Sequence, residues 1–138
     1  MPSPTGAVDD VWQSTDDKSL IIADYKATSK NGQVTIDADW QISYKRQMEF
    51  YQWLMRRNGF DVSDTGYFVY CNGIKAKDEF GKKLEFDVSL LAYTGNDAWV
   101  GGTISEIFET LQSDQIPATS ENCGYCSYLD DVDLVINS

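Results

Sequence analysis

The chain has 138 residues and a formal net charge of −11, with 22 Asp and Glu against 11 Lys and Arg and no His. The lack of His excludes Ser–His–Asp triads and His-ligated metal sites, so any catalysis must use carboxylates, Lys, Tyr, Cys or hydroxyls. Hydrophobic residues make up 42% and charged residues 24%, which fits one folded domain over 1–138 rather than a disordered chain. No apolar run approaches the roughly 18 residues of a membrane span, and residues 1–6 lack a signal-peptide pattern. Three cysteines are too few and odd in number for a disulfide framework. A cytoplasmic location is the expectation.

The charge is unevenly spread. Residues 1–83 hold all 11 basic residues and 12 acidic ones, for a net −1, whereas residues 84–138 hold 10 acidic residues and no Lys or Arg. The near-neutral N-terminal part can therefore have partners that the overall acidity would argue against.

In chain order, residues 6–13 read as a short strand and residues 14–19 as a polar turn. Residues 20–26, with Leu20, Ile21, Ile22 and Ala23, read as a mostly buried strand, so the two form a hairpin with a six-residue loop. Residues 29–39 are polar, contain Asn31-Gly32, and read as a mobile loop. A helix is expected over about 40–57, capped by Asp39 or a neighbour. Trp40, Tyr44, Met48, Tyr51 and Met55 line one face of it, widened by Phe50, Trp53 and Leu54. Asn58-Gly59 is its stop signal.

Residues 65–71 read as a strand and residues 73–83 as a charged loop. In the next expected strand, 84–93, Leu84, Phe86, Val88 and Leu90 point one way. Val100, Ile104, Ile107, Phe108 and Leu111 follow a helical spacing over 99–111. Residues 113–138 read as a polar, acidic tail containing Cys123-Gly124-Tyr125-Cys126. The order ββαββα implies an α/β fold: a small mixed β-sheet flanked by helices.

Three features can carry chemistry. On a strand, Asp24 and Lys26 share a face, and a carboxylate and an ammonium beside the apolar run 20–23 need a partner or a purpose. On its own the pair also suits a plain ion pair at a strand end. Asp9, on the preceding strand, adds a second carboxylate, and two carboxylates beside an ammonium suit a hard cation such as Mg²⁺. Asp10, on the opposite strand face, is the competing ligand. Third, Gln47 and Tyr51 are i, i+4 on the helix, although spacing alone favours Tyr51 in the core and Gln47 in solvent.

Taken together, Gly6-Ala7-Val8-Asp9, then Asp24-Tyr25-Lys26, then Gln47-Met48-Glu49-Phe50-Tyr51, resemble the PD-(D/E)XK nuclease superfamily, in particular its RecB-like branch with the CRISPR-associated exonucleases. The likeness is clearest over residues 6–57 and implies a restriction-endonuclease-like core. It further implies a Mg²⁺- or Mn²⁺-dependent deoxyribonuclease that hydrolyses phosphodiester bonds with an activated water. Asp9, Asp24 and the main-chain carbonyl of Tyr25 would hold the metal. Lys26 would polarise the water, and Gln47 and Tyr51 would support the site or touch the DNA.

The family's N-terminal helix has no counterpart here, so the chain reads as a fragment of that domain. Some relatives carry an iron–sulfur cluster on four cysteines. With only Cys71, Cys123 and Cys126, such a cluster within one chain is not expected; Cys123 and Cys126 suit half a zinc site, a redox pair or a vestige. The competing expectation is a non-catalytic module of this fold that meets a protein partner through its acidic C-terminal half. No membrane partner is expected.

Overall fold

The apolar run at 20–23 and the aromatic, β-branched run at 65–71 both form long strands, and the two lie side by side. A computed structural model describes residues 4–75, 81–120 and 122–137. The elements are β1 (Asp10–Gln13), β2 (Leu20–Thr28), a 3-10 turn (Asp39–Gln41), α1 (Ile42–Arg57), β3 (Thr65–Gly73), β4 (Phe86–Thr94), α2 (Val100–Gln112) and α3 (Gly124–Ile136). The chain divides into two compact units, 1–103 and 104–138. Of the loop expected at 73–83, residues 76–80 lie outside the described residues. No helix among the described residues is long and apolar enough to cross a membrane.

In the first unit the strands lie in the order β1-β2-β3-β4. β1 and β2 form the expected antiparallel hairpin, with Asp10 opposite Ala23 and Val11 opposite Ile22. β2 and β3 are parallel and therefore need a crossover, which α1 provides. β4 returns antiparallel to β3. Alternation sends Ile22 of β2 and Phe68 and Tyr70 of β3 to the α1 side, where they form the core with Met48 and Tyr51. Gly66 must be glycine: an added Cβ would run into the Met48 side chain and come within 3.0 Å of the Ile22 carbonyl oxygen.

α1 ends as expected. Gly59 takes a φ of +87°, its N–H donates to the Arg56 carbonyl, and the Phe60 N–H donates to the Met55 carbonyl, the pattern that satisfies orphan carbonyls at a helix C-terminus. The start differs from expectation. Asp39 does not cap α1; residues 39–41 form a 3-10 turn in which the Gln41 side chain accepts from the Ala38 N–H at 3.0 Å. Because the helical period begins only at Ile42, Trp40 leaves the apolar stripe and is 64% exposed.

The segment 29–39 is irregular, as expected, but it is anchored. Val34 and Ile36 are buried in the core, Gln41 donates to the Thr35 carbonyl, and Asn72 exchanges hydrogen bonds with the backbone of Lys30. Two apolar residues shortly before a helix can tether a polar loop, a signal that composition hides.

Phe86, Val88 and Leu90 share one face of β4, as expected, and that face is exposed. The second unit holds the greater part of α2 and all of α3. α3 lies inside the segment read as a polar tail. Its apolar residues Tyr125, Tyr128, Leu129, Val132 and Val135 recur at helical spacing, and the flanking acidic residues mask that period. Cys123 is its N-cap, its sulfur accepting the Cys126 N–H at 3.3 Å.

Candidate active site

The hairpin register puts the two candidate carboxylates side by side. Asp10 pairs with Ala23, so Asp9 comes level with Asp24. The Asp9 side chain accepts the Tyr25 N–H through Oδ2 at 2.9 Å, which ties it to β2 next to Asp24. Asp24 is only 2% exposed. Burial pushes its carboxyl above the ordinary value, the Lys26 ammonium opposes this, and the neighbouring Asp9 carboxylate adds to the upward push. Asp9 and Asp24 are therefore neighbours on one face of the hairpin.

Lys26 is placed by three groups. Its ammonium lies 2.5 Å from Asp24 Oδ2, donates to Gln47 Oε1 at 3.1 Å, and sits 4.5 Å from the centroid of the Tyr44 ring. Gln47 can accept in this orientation because its Nε2 donates to the Tyr51 hydroxyl at 3.0 Å. The chain Tyr51–Gln47–Lys26–Asp24 thus runs from α1 to β2. Gly6 packs at the end of it, where an added Cβ would lie 3.0 Å from Tyr51 Cε1.

Asp10 is occupied elsewhere. It accepts the Val11 N–H, the Trp12 indole N–H and the Tyr25 hydroxyl. These bonds, that from Trp12 foremost, hold its carboxyl below the ordinary value. Strand alternation places it on the face away from α1, so it does not compete with Asp9 for this site. Tyr25 joins two adjacent carboxylates, with its N–H on Asp9 just before β1 and its hydroxyl on Asp10.

The donor set fits a hard cation. Asp24 Oδ2 is buried and paired with the Lys26 ammonium, and the Asp9 carboxylate lies beside it. A cation bound between the two carboxylates would relieve their repulsion. Asp9 keeps one oxygen free of the Tyr25 N–H bond. Among the described residues no group of three His, Cys, Asp or Glu side chains gathers. Two carboxylates with water and substrate oxygens is a coordination that Mg²⁺ accepts.

Tyr44 is the site residue that sequence reasoning placed only in the core stripe. Its position four residues after Trp40 and three before Gln47 is the signal that could have found it. Glu49, inside the same motif run, has another job. It is 8% exposed and accepts from the Tyr93 hydroxyl at 2.7 Å, the Asn96 N–H at 3.0 Å and the Trp99 indole N–H at 2.7 Å, clamping the β4–α2 connection to α1. Cys71 is on β3, Cys123 and Cys126 lie at the start of α3, and all three are free thiols.

No curated protein and no solved structure matches this chain at a significant level. The family model of the PD-(D/E)XK nuclease superfamily matches residues 5–130. That span takes in the hairpin, the crossover helix and the remaining strands, and the mixed α/β sheet is the restriction-endonuclease-like core that the family implies. The chain belongs to the PD-(D/E)XK nuclease superfamily.

Proposed function

We propose that the protein hydrolyses phosphodiester bonds of DNA in a divalent-metal-dependent reaction centred on Asp9, Asp24 and Lys26, in the manner of the RecB-like branch, inside the cytoplasm. The observation that carries this reading is the buried Asp24 carboxylate, paired with the Lys26 ammonium and with the Asp9 carboxylate beside it. Burying one carboxylate next to a second is costly even with an ammonium paired to it, and a bound cation offsets that cost.

Asp9 and Asp24 would hold Mg²⁺ or Mn²⁺, with the Tyr25 carbonyl as a third ligand. Such an ion lowers the pKa of water and clamps phosphate oxygens during an in-line displacement. The chain's own residues do the rest. Lys26 brings a positive charge to the phosphate and orients the attacking water through its N–H groups. The water oxygen would bond to phosphorus, its proton passing to bulk solvent, as the ester oxygen leaves and takes a proton from solvent. Gln47 holds the ammonium on that line, and Tyr51 fixes which way the Gln47 amide faces. Tyr44 walls off one side of Lys26 with an aromatic face.

The test is cleavage of end-labelled single- and double-stranded DNA with Mg²⁺, Mn²⁺ or EDTA, with Lys26→Ala alongside. Metal-dependent cutting that the variant loses supports the reading. A folded wild-type chain that cuts neither substrate with either metal overturns it and leaves a non-catalytic member of the fold. The pattern of products from the labelled ends separates exonuclease from endonuclease.

A further inference from the structure

Trp40 is out of the core yet held in place. It is 64% exposed, in a turn whose next residue, Gln41, is 3% exposed. The Gln41 side chain accepts from the Ala38 N–H and donates to the Thr35 carbonyl and the Tyr70 hydroxyl. The Trp40 carbonyl accepts from the Ser43 hydroxyl at 3.1 Å. The backbone that carries the indole is thus fixed on both sides. A surface aromatic pre-set in this way loses little freedom when something packs on it.

Its position is informative. The indole meets the Tyr44 ring nearly at right angles, with centroids 5.4 Å apart. The same Tyr44 ring lies 4.5 Å from the Lys26 ammonium. Trp40 therefore sits within about 10 Å of the ammonium, the span of about three stacked nucleotides at 3.4 Å each. A nucleic-acid strand with a phosphate at Lys26 can place a neighbouring base on the indole.

In a duplex each base face is already covered by the next base pair. An exposed ring can stack only on a base that has left the stack, as in single strands and frayed ends. We propose that Trp40, backed by Tyr44, is a base-stacking platform for single-stranded DNA beside the Asp24–Lys26 site. The proposal rests on the nuclease reading of that site and names its substrate form. Stacking of this kind tolerates any base, so the platform selects strandedness and not sequence.

The experiment compares wild type, Trp40→Ala and Trp40→Phe by fluorescence anisotropy. The probes are a fluorescein-labelled oligothymidylate and a labelled duplex of the same length, in EDTA so that neither is cut. Far-UV circular dichroism checks that the exposed substitutions leave the fold intact. Trp40→Ala is expected to weaken single-strand binding about tenfold, the order of one base–aromatic stack. Trp40→Phe should keep most of the affinity, and duplex binding should stay unchanged in both. Equal single-strand binding by wild type and Trp40→Ala, equal losses on both probes, or no single-strand binding by wild type would each overturn the platform. If the Trp40 effect is found but wild type does not cut with Mg²⁺ or Mn²⁺, the platform stands and the hydrolytic reading fails.

Discussion

The Lys26 ammonium and the Gln47 amide oxygen are 3.1 Å apart across the gap between β2 and α1. That bond joins the strand that carries Asp24 and Lys26 to the helix that covers it. Lys has three donors on a flexible stem, so without a fixed acceptor its ammonium would swing. Gln47 supplies the acceptor, and Tyr51 sets the amide's orientation from 3.0 Å.

From this follows the first prediction. Gln47→Ala should lower kcat for DNA cleavage about 10- to 100-fold, the usual loss when a group that orients a metal-site residue is removed, with little change in KM. Tyr51→Phe removes only the hydroxyl that receives the Gln47 N–H, so it should cost less than Gln47→Ala. Steady-state cleavage by the two variants and by the double variant checks this. Because both act through the same ammonium, the double variant should fall short of the product of the two single effects.

Metal binding should be visible without any turnover. A cation that binds the folded chain and not the unfolded one raises the melting temperature. Millimolar Mn²⁺ or Mg²⁺ should therefore raise the Tm of wild type. Asp24→Asn and Asp9→Asn should each lose most of that increase, whereas Asp10→Asn should keep it. The last contrast follows from the three hydrogen bonds that already occupy Asp10. A thermal melt with and without metal decides between the two neighbouring carboxylates.

Much of this site was legible in the sequence. Strand alternation put Asp24 and Lys26 on one face, and the hairpin brought Asp9 back to them. The i, i+4 pair Gln47 and Tyr51 was also correctly joined, though spacing alone could not say whether Gln47 faced water or Lys26. What escaped had specific causes. Trp40 obeys the helical period on paper but precedes the helix, because the first turn is 3-10 and shifts its direction. Val34 and Ile36 tether a loop by only two apolar residues, too few for any period. α3 hides its apolar face among acidic residues. Glu49 reads as a surface helix residue, since nothing local reveals that three donors from residues 93–99 converge on it.

Asp24 also has a consequence for stability against pH. Burial lifts its carboxyl above the ordinary 3.8 in the folded chain. Between the unfolded and folded values the native state then binds more protons than the unfolded state. By linkage, the contribution of Asp24 falls as pH rises through that window, and below the unfolded value it is fully present. Asp10 and Asp17, whose carboxyls hydrogen bonds hold below the ordinary value, act in the opposite sense. The useful readout is therefore a difference. The stability of Asp24→Asn relative to wild type should rise as pH climbs from about 3.8 and then level off. Urea denaturation of both proteins between pH 3.5 and about 7, without metal, measures it. A difference that is flat across the range would show that the carboxylate is not strained by burial.

Glu49 should matter for stability and not directly for chemistry. Its carboxylate is buried and receives three donors, from the Tyr93 hydroxyl, the Asn96 N–H and the Trp99 indole. The same contact, after burial, pushes the Tyr93 hydroxyl up to about 12, so Tyr93 remains a donor across the working range. Glu49→Ala would strand all three donors and is expected to destabilise the fold by about 2–4 kcal/mol. Glu49→Gln keeps one acceptor oxygen but turns an NH₂ towards one of the donors, so it should recover only part of that loss. Chemical denaturation ranks the three proteins. Cleavage by whatever fraction stays folded should match wild type, since Glu49 points to the β4–α2 connection and not to Lys26. A kcat that falls in step with Gln47→Ala would instead place Glu49 in the site.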